Sequence, residues 1–283
     1  MTEDLRFDRL TPGDLDSALR LSTQAGWNQL PADWQRLLDF TPEGCLGGRL
    51  GDRLVATATV ASYGNDAHWL GMVIVDVSCR GRGFGSAILA EALQVARARG
   101  SDRVGLDATD LGRPVYLKQG LVDHSPIDRW GGRLHRPPEA PALEVLGHAT
   151  LDAVLALDRT ASGADRAPLL VHLAMERDVV GWVATDGRGA AGYAILRPGR
   201  ECAHLGPVVA PEAAHFQSLL EAAAFVLEDT PVLVDVPRTP ENAATLSGMG
   251  LEVRRRLTRM TFRNPQPLLL GPAIRAATSF ELG

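Results

Sequence analysis

Arg80-Gly-Arg-Gly-Phe-Gly85, followed by Ser86 and an apolar run, constrains this chain more than any other stretch. It stands directly after Trp69-Leu-Gly-Met-Val-Ile-Val-Asp-Val77, an apolar, β-branched segment of the kind that forms a buried strand. Strand, glycine-rich turn and helix N-terminus in that order build a cradle for an anion. Glycine lets the backbone approach a ligand closely, and the N–H groups of a first helical turn have no partner within the helix. Arg80 and Arg82 add positive charge inside the turn. The segment therefore predicts a phosphorylated cofactor held at residues 80–86.

Spacing narrows the cofactor. The dinucleotide fingerprint Gly-x-Gly-x-x-Gly, started at Gly81, fails where Ser86 stands. A Walker loop needs Gly-Lys-Ser/Thr, and Lys118 is the only lysine. Arg80, Gly83 and Gly85 instead match Arg/Gln-x-x-Gly-x-Gly/Ala, so this stretch resembles the acyl-CoA pyrophosphate loop of the GNAT acetyltransferases. Val75-Asp-Val77 resembles that family's fourth strand, whose backbone pairs with the pantetheine arm. Some thirty residues on, Pro114-Val-Tyr-Leu-Lys-Gln-Gly-Leu121 looks like the family's Tyr-x-x-x-Gly-Phe signature, with Leu121 for the common Phe. The resemblance implies acetyl-CoA as cofactor, bound by Val75, Val77, Arg80, Gly81, Arg82, Gly83, Phe84, Gly85 and Ser86. It places Tyr116 as the general acid.

The resemblance also implies direct attack of a primary amine, on a small molecule or a peptide, on the acetyl thioester. A backbone N–H of the splayed fourth strand would stabilise the oxyanion. An amine of pKa about 10.4 is mostly protonated at neutral pH, so a group must take its proton. Candidates are Asp76, Glu43, His68 and Asp107, or a carboxylate acting through water. Trp27 and Asn28 fall in the loop between the first two helices, which in this family roofs the acceptor site; Trp27 reads equally well as a core anchor. Trp34 and Trp69 read as core. Two other readings stand beside the enzyme: a non-catalytic acyl-CoA-binding or regulatory module, and a nucleotide-binding Rossmann protein, which Ser86 disfavours.

The rest of the chain asks for a duplication. At 283 residues it exceeds an ordinary domain of about 100–200 residues. Its 45% hydrophobic and 22% charged residues are those of a globular protein. The net charge of −5, with no basic stripe, argues against a nucleic-acid partner. No apolar run nears the length of a membrane span, no secretory leader is legible, and Cys45, Cys79 and Cys202 lack metal-ligand spacing. A reduced cytoplasm is the expected setting, with no metal.

Strand and helix patterns alternate as in a mixed α/β sheet, and Pro137-Pro138-Glu-Ala-Pro141 marks a boundary. This divides the chain into an acetyl-CoA-binding domain, 1–137, and a second domain, 138–283, that repeats its plan. In the repeat Leu246 aligns with Tyr116, while Ala214 and Phe216, allowing a residue or two of slip, fall where Gly83 and Gly85 stand, near Glu212. Asp152, Asp158 and Asp165 in the repeat read as solvated or capping. The second domain therefore looks like a GNAT domain that has lost its cofactor site. Gly26-Trp-Asn28, Leu106-Asp-Ala-Thr109, Leu205-Gly-Pro-Val and Arg259-Met260 resemble one group of tandem GNAT proteins with such a degenerate second domain.

Overall fold

One order of elements runs twice along the chain. The first half holds β1 (Arg6–Arg9), α1 (Leu15–Gln24), α2 (Pro31–Phe40), β2 (Cys45–Leu50), β3 (Arg53–Tyr63), β4 (Ala67–Val75), α3 (Phe84–Ala98), β5 (Val104–Ala108), α4 (Arg113–Lys118) and β6 (Leu121–Gly132). The second repeats it as β7 (Glu144–Val145), α5 (His148–Ser162), α6 (Ala167–Met175), β8 (Val180–Thr185), β9 (Ala190–Arg197), β10 (Ala203–Val209), α7 (Ala213–Leu227), β11 (Val232–Pro237), α8 (Pro240–Gly248) and β12 (Leu251–Phe262). One strand, β13 (Ile274–Ala276), has no counterpart in the first half. This computed structural model describes residues 5–64, 67–100, 102–187, 189–263 and 268–283; residues 1–4 of the opening segment lie outside them.

All the strands join one sheet, in the order β1-β2-β3-β4-β5-β12-β6-β11-β10-β9-β8-β7, with β13 beside β10. β5 and β6, consecutive in sequence, are not neighbours. β12 from the second half lies against β5, and β6 from the first half lies against β11, so the halves exchange their last long strands. The exchanged strands pair antiparallel with each other from Leu121↔Phe262 to Gly132↔Leu251.

Each exchange is fastened by a buried ion pair. Arg259 on β12 grips Asp107 on β5 with two bonds of 2.8 Å, and Arg129 on β6 grips Asp235 on β11 with two of 2.7 Å. The guanidiniums lie over aromatic rings, Arg259 over Trp69 at 4.3 Å and Arg129 over Phe280 at 4.2 Å. Paired charges with stacked guanidiniums meet the condition under which a buried charge is tolerated.

Apolar spacing decides which helix covers which face. Ile88, Leu89, Ala92, Leu93 and Ala96 form the buried stripe of α3, which packs with Val60, Leu70, Val104 and Leu106 of the first half's sheet. α7 does the same for the second half through Phe216, Leu219, Leu220 and Ala223. Another core belongs to both halves: Leu21, Trp34 and Leu37 of α1 and α2 share it with Val154, Leu169 and Leu173 of α5 and α6. Arg36 ties α2 to α6 through two bonds of 2.8 Å to Glu176. Among the described residues no helix is long and apolar enough to cross a membrane.

Candidate active site

A cleft opens where β4 and β5 part. The two parallel strands pair only at His68↔Val104 and Trp69↔Gly105. Beyond that point Met72 takes a positive φ of 49° and the β3–β4 register shifts between Thr57 and Thr59. Such a bulge bends a strand, here freeing the edge of β4 from Leu70 to Val75 on the β5 side. A free edge leaves backbone donors and acceptors available to an extended ligand.

The strand stops at Val75 because Asp76 caps a tight turn, its carboxylate accepting from the Ser78 N–H at 3.0 Å. Val77, expected on the strand, therefore lies in the turn with 51% of its surface exposed. Gly81 and Gly83 follow with φ of +77° and +82°, a region that L side chains rarely adopt. No atom lies within 4 Å of where a Cβ would stand at either position, so the cradle is open. Gly83 is the N-cap of α3, and the first N–H to bond within the helix is that of Ala87, to Gly83 O at 3.1 Å. The N–H groups of Phe84, Gly85 and Ser86 stay available to an anion. Exposed Arg80 reaches back to Val75 O at 3.3 Å, and Arg82 lies over the Phe84 ring at 4.6 Å. Glycines, open N–H groups and two arginines fit a pyrophosphate.

The second wall is α4, which carries Tyr116 and packs against α3 and β6. Gln119 at the end of α4 donates to Ser86 Oγ at 2.8 Å, so the two walls are tied and the Ser86 hydroxyl is engaged. Arg113 at the start of α4 is held by Asp123 of β6 at 2.9 Å. Tyr116 packs against the α3 core, as do Val73, Val75 and Val115. Burial pushes its phenol up to about 12, so it keeps its proton at neutral pH.

The other residues singled out in the sequence separate into those near this cleft and those committed elsewhere. Asp76 is buried beneath Arg20 and Arg53, each at 2.8 Å. Burial alone would raise its carboxyl, but bonds from Arg20, Ser78 and Arg53 hold it well below the ordinary carboxylate range. Asp107 is locked in the β5–β12 ion pair, both side chains fully buried. Both carboxylates are thus engaged by arginines that fasten neighbouring elements. His68 is buried at the far end of β4, its Nδ1 3.0 Å from Ser62 Oγ. Glu43 is exposed and pairs with Arg9 at 2.9 Å.

Asn28 does not face the cofactor cleft. Its side chain donates to Cys202 O at 2.7 Å and accepts from the Glu201 N–H at 2.8 Å, clamping the first half's α1–α2 loop to the β9–β10 turn. Trp27 beside it is half-buried against the shared core. Asp158, read from sequence as solvated or capping, is instead fully buried with Arg166 and Tyr193.

The corresponding cleft of the second half is filled by the chain itself. β10 and β11 pair only at Ala203↔Val232 and His204↔Leu233 before they part. β13 enters the gap, pairing with β10 at Val208↔Ala276 and Val209↔Ile274, and the Ala277 N–H reaches Asp235 O on β11 at 2.8 Å. Arg275 donates to Ala210 O at 2.8 Å and Pro211 O at 3.0 Å and pairs with Glu241 of α8 at 3.0 Å. It thus occupies the space before α7 that the arginine-glycine loop surrounds before α3.

That loop is also missing. Residues 76–83 separate β4 from α3, whereas only residues 210–212 separate β10 from α7. Counted from the helix starts, Glu212 takes the place of Gly83 and Ala214 that of Gly85, while Phe216 lies deeper, in the core. Leu246, aligned with Tyr116, is fully buried and carries no hydroxyl. β13 went unread in the sequence because three residues after a proline-rich segment carry no periodic signal.

Comparison with known proteins agrees with this geometry. The sequence model of the acetyltransferase (GNAT) family matches residues 14–121, and that of an acetyltransferase (GNAT) domain matches residues 154–269. A holothin acyltransferase from Pseudoalteromonas sp. is 28% identical over 260 residues, 91% of this chain and 87% of that protein. A Pyrococcus horikoshii protein shares the fold at a TM-score of 0.84 and 20% identity, covering 100% of this chain and 97% of its own. A tandem GNAT protein from the clavulanic acid biosynthesis pathway matches at a TM-score of 0.64 and 18% identity, over 93% of this chain and 100% of that one. With a GNAT model on each half and the paired architecture above, the chain belongs to the GNAT acetyltransferases as a tandem, two-domain acyltransferase.

Proposed function

We propose that this protein is an N-acetyltransferase that uses acetyl-CoA in its first half, residues 1–137, and transfers the acetyl group to a primary amine. The second half, residues 138–283, binds no cofactor but supplies β12 to the working sheet. The observation that carries this reading is the asymmetry of the two clefts: one is open beside an arginine-glycine loop, the other is filled by β13 and Arg275. The relative named for acyl transfer supports the activity class.

Bound acetyl-CoA would supply an activated acyl thioester. The N–H groups of Phe84, Gly85 and Ser86, with Arg80 and Arg82, would hold its pyrophosphate; the free edge of β4 up to Val75 would align its arm. Tyr116 holds a proton at its hydroxyl, raised by burial, for the departing sulfur. Asp76 and Asp107 keep the cleft in shape.

Gly83→Asp sets a carboxylate and a Cβ where the pyrophosphate is expected. It should weaken acetyl-CoA binding at least tenfold with the fold retained, read as loss of the thermal shift that acetyl-CoA gives the parent protein. An unchanged shift would sink the site. Equilibrium dialysis should give a single acetyl-CoA per chain. Two would mean that β13 gives way in the second half.

A further inference from the structure

The chain that fills the second cleft as β13 runs on, through residues 277–283, to the point where β4 and β5 part. Groups of the second half fix its course. The Ala277 N–H bonds Asp235 O at 2.8 Å, Arg197 Nη2 donates to Thr278 O at 2.8 Å, and Arg166 Nη1 donates to Thr278 Oγ1 at 3.0 Å. The Gly283 N–H reaches Ser279 O at 2.8 Å and the Thr278 N–H reaches Gly283 O at 2.9 Å, so the segment closes on itself. It is buried throughout except at half-buried Phe280.

Three successive carbonyls of this segment meet the first half. Phe280 O accepts from Trp69 Nε1 at 2.9 Å. Trp69 belongs to the last paired rung, Trp69↔Gly105, and a Cβ at Gly105 would stand 2.7 Å from Trp69 Cζ3, so the indole lies across the β5 backbone. Glu281 O comes next: a Cβ at Gly71 would stand 2.4 Å from it and 2.8 Å from Glu281 Cα. The φ of Gly71 is outside the left-handed region, so glycine serves there for room and not for conformation. Met72, with its positive φ, follows directly. Leu282 O accepts from the Tyr63 hydroxyl at the end of β3, in a buried bond. Backbone packed on backbone cannot shift without moving its neighbour.

We infer that residues 280–282 are a positioning element for the working cleft. Seated on Trp69, Gly71 and Tyr63, they set the course of β4 through its bulge, and with it the place of the backbone N–H groups on the freed stretch from Leu70 to Val75. Those groups are the ones available to the cofactor's arm and to charge developing on the thioester carbonyl, where a shift of about 1 Å costs up to about 10²-fold in rate. Trp69 and Tyr63 act through β4 and are positioning residues. Resting on the acyl transfer proposed above, this gives the cofactor-free half a part in it: one continuous piece of chain fills the second cleft and braces the first.

The test uses full-length variants. Trp69→Phe removes the donor to Phe280 O and keeps a ring, Tyr63→Phe removes the donor to Leu282 O, and Gly71→Ala drives β4 and Glu281 apart. Leu220→Ala, in the separate core under α7, controls for lost stability alone. Hydrogen exchange of amides 70–75 is followed with CoA bound, Kd for CoA by equilibrium dialysis, and kcat by thiol release from acetyl-CoA with an amine found by screening. Trp69→Phe and Tyr63→Phe should each quicken that exchange and lower kcat by about tenfold or more, with Kd for CoA within about threefold of the parent. Gly71→Ala should do the same more strongly, and the two milder variants decide the matter if it does not fold. Leu220→Ala should lower the melting temperature and leave kcat within about twofold.

Exchange and kcat near the parent values in Trp69→Phe and Tyr63→Phe overturn the inference. So does quickened exchange at unchanged kcat, a fall in CoA affinity that matches the fall in kcat, or an equal fall of kcat in Leu220→Ala. If the parent protein releases no thiol with any amine, the proposed activity fails, and exchange over residues 70–75 alone then decides whether the brace holds β4.

Discussion

Arg259→Ala is expected to cost about 3–5 kcal/mol of stability, because it strands the Asp107 carboxylate in a site from which water is excluded. Both side chains are fully buried, and the guanidinium also donates to Leu268 O at 3.1 Å and covers Trp69. Urea denaturation measures the loss. The same pair joins β12 to β5, so the halves should unfold in one transition that moves as a whole to lower denaturant. The cost belongs to the orphaned charge and not to the attraction of the pair. The double replacement Asp107→Leu with Arg259→Met should therefore recover most of it. A single substitution costing under about 1 kcal/mol, the range of solvent-exposed pairs, would mean that this junction is wet.

Tyr116→Phe removes one hydroxyl and leaves the ring packed against the α3 core. If the phenol protonates the leaving sulfur, kcat should fall by about 10²–10⁴. The KM for acetyl-CoA should change little, since the bond matters mainly in the transition state. Slow acetyl-CoA hydrolysis or any amine substrate found by screening serves as the assay. A Phe variant keeping most of its turnover removes Tyr116 from the mechanism and leaves it a packing residue that caps the α3 core.

Much of the first half was legible because its signals are local. The apolar run up to Val75, the alternating glycines and the stripe of α3 are separated by a few residues and report on one another through strand and helix period alone. The glycine-rich turn at residues 80–86 accordingly leads into α3 as its pattern predicts, with the strand ending two residues early because Asp76 turns its carboxylate onto Ser78. Asp76 and Asp107 were read as candidate proton acceptors because a carboxylate in a strand looks alike whether paired or free. Arg20, Arg53 and Arg259, which neutralise them, are 56, 23 and 152 residues away in sequence. For the same reason nothing in the closing Phe280-Glu-Leu-Gly283 says that its backbone lies against Gly71.

By itself the sequence determined the repeated order of elements, the one arginine-glycine loop and the tyrosine that follows it, because turn chemistry and side-chain period act within a few residues. Only the tertiary structure decided that β6 and β12 change places, that β13 closes the second cleft, and that the residues after β13 lie against β4. β6 and β12 are each 12 residues long and follow a glycine, so their local patterns suit either sheet. The choice falls to partners far along the chain, the two buried Arg–Asp pairs and the shared core of α1, α2, α5 and α6, and contacts of that range leave no period for a sequence to display.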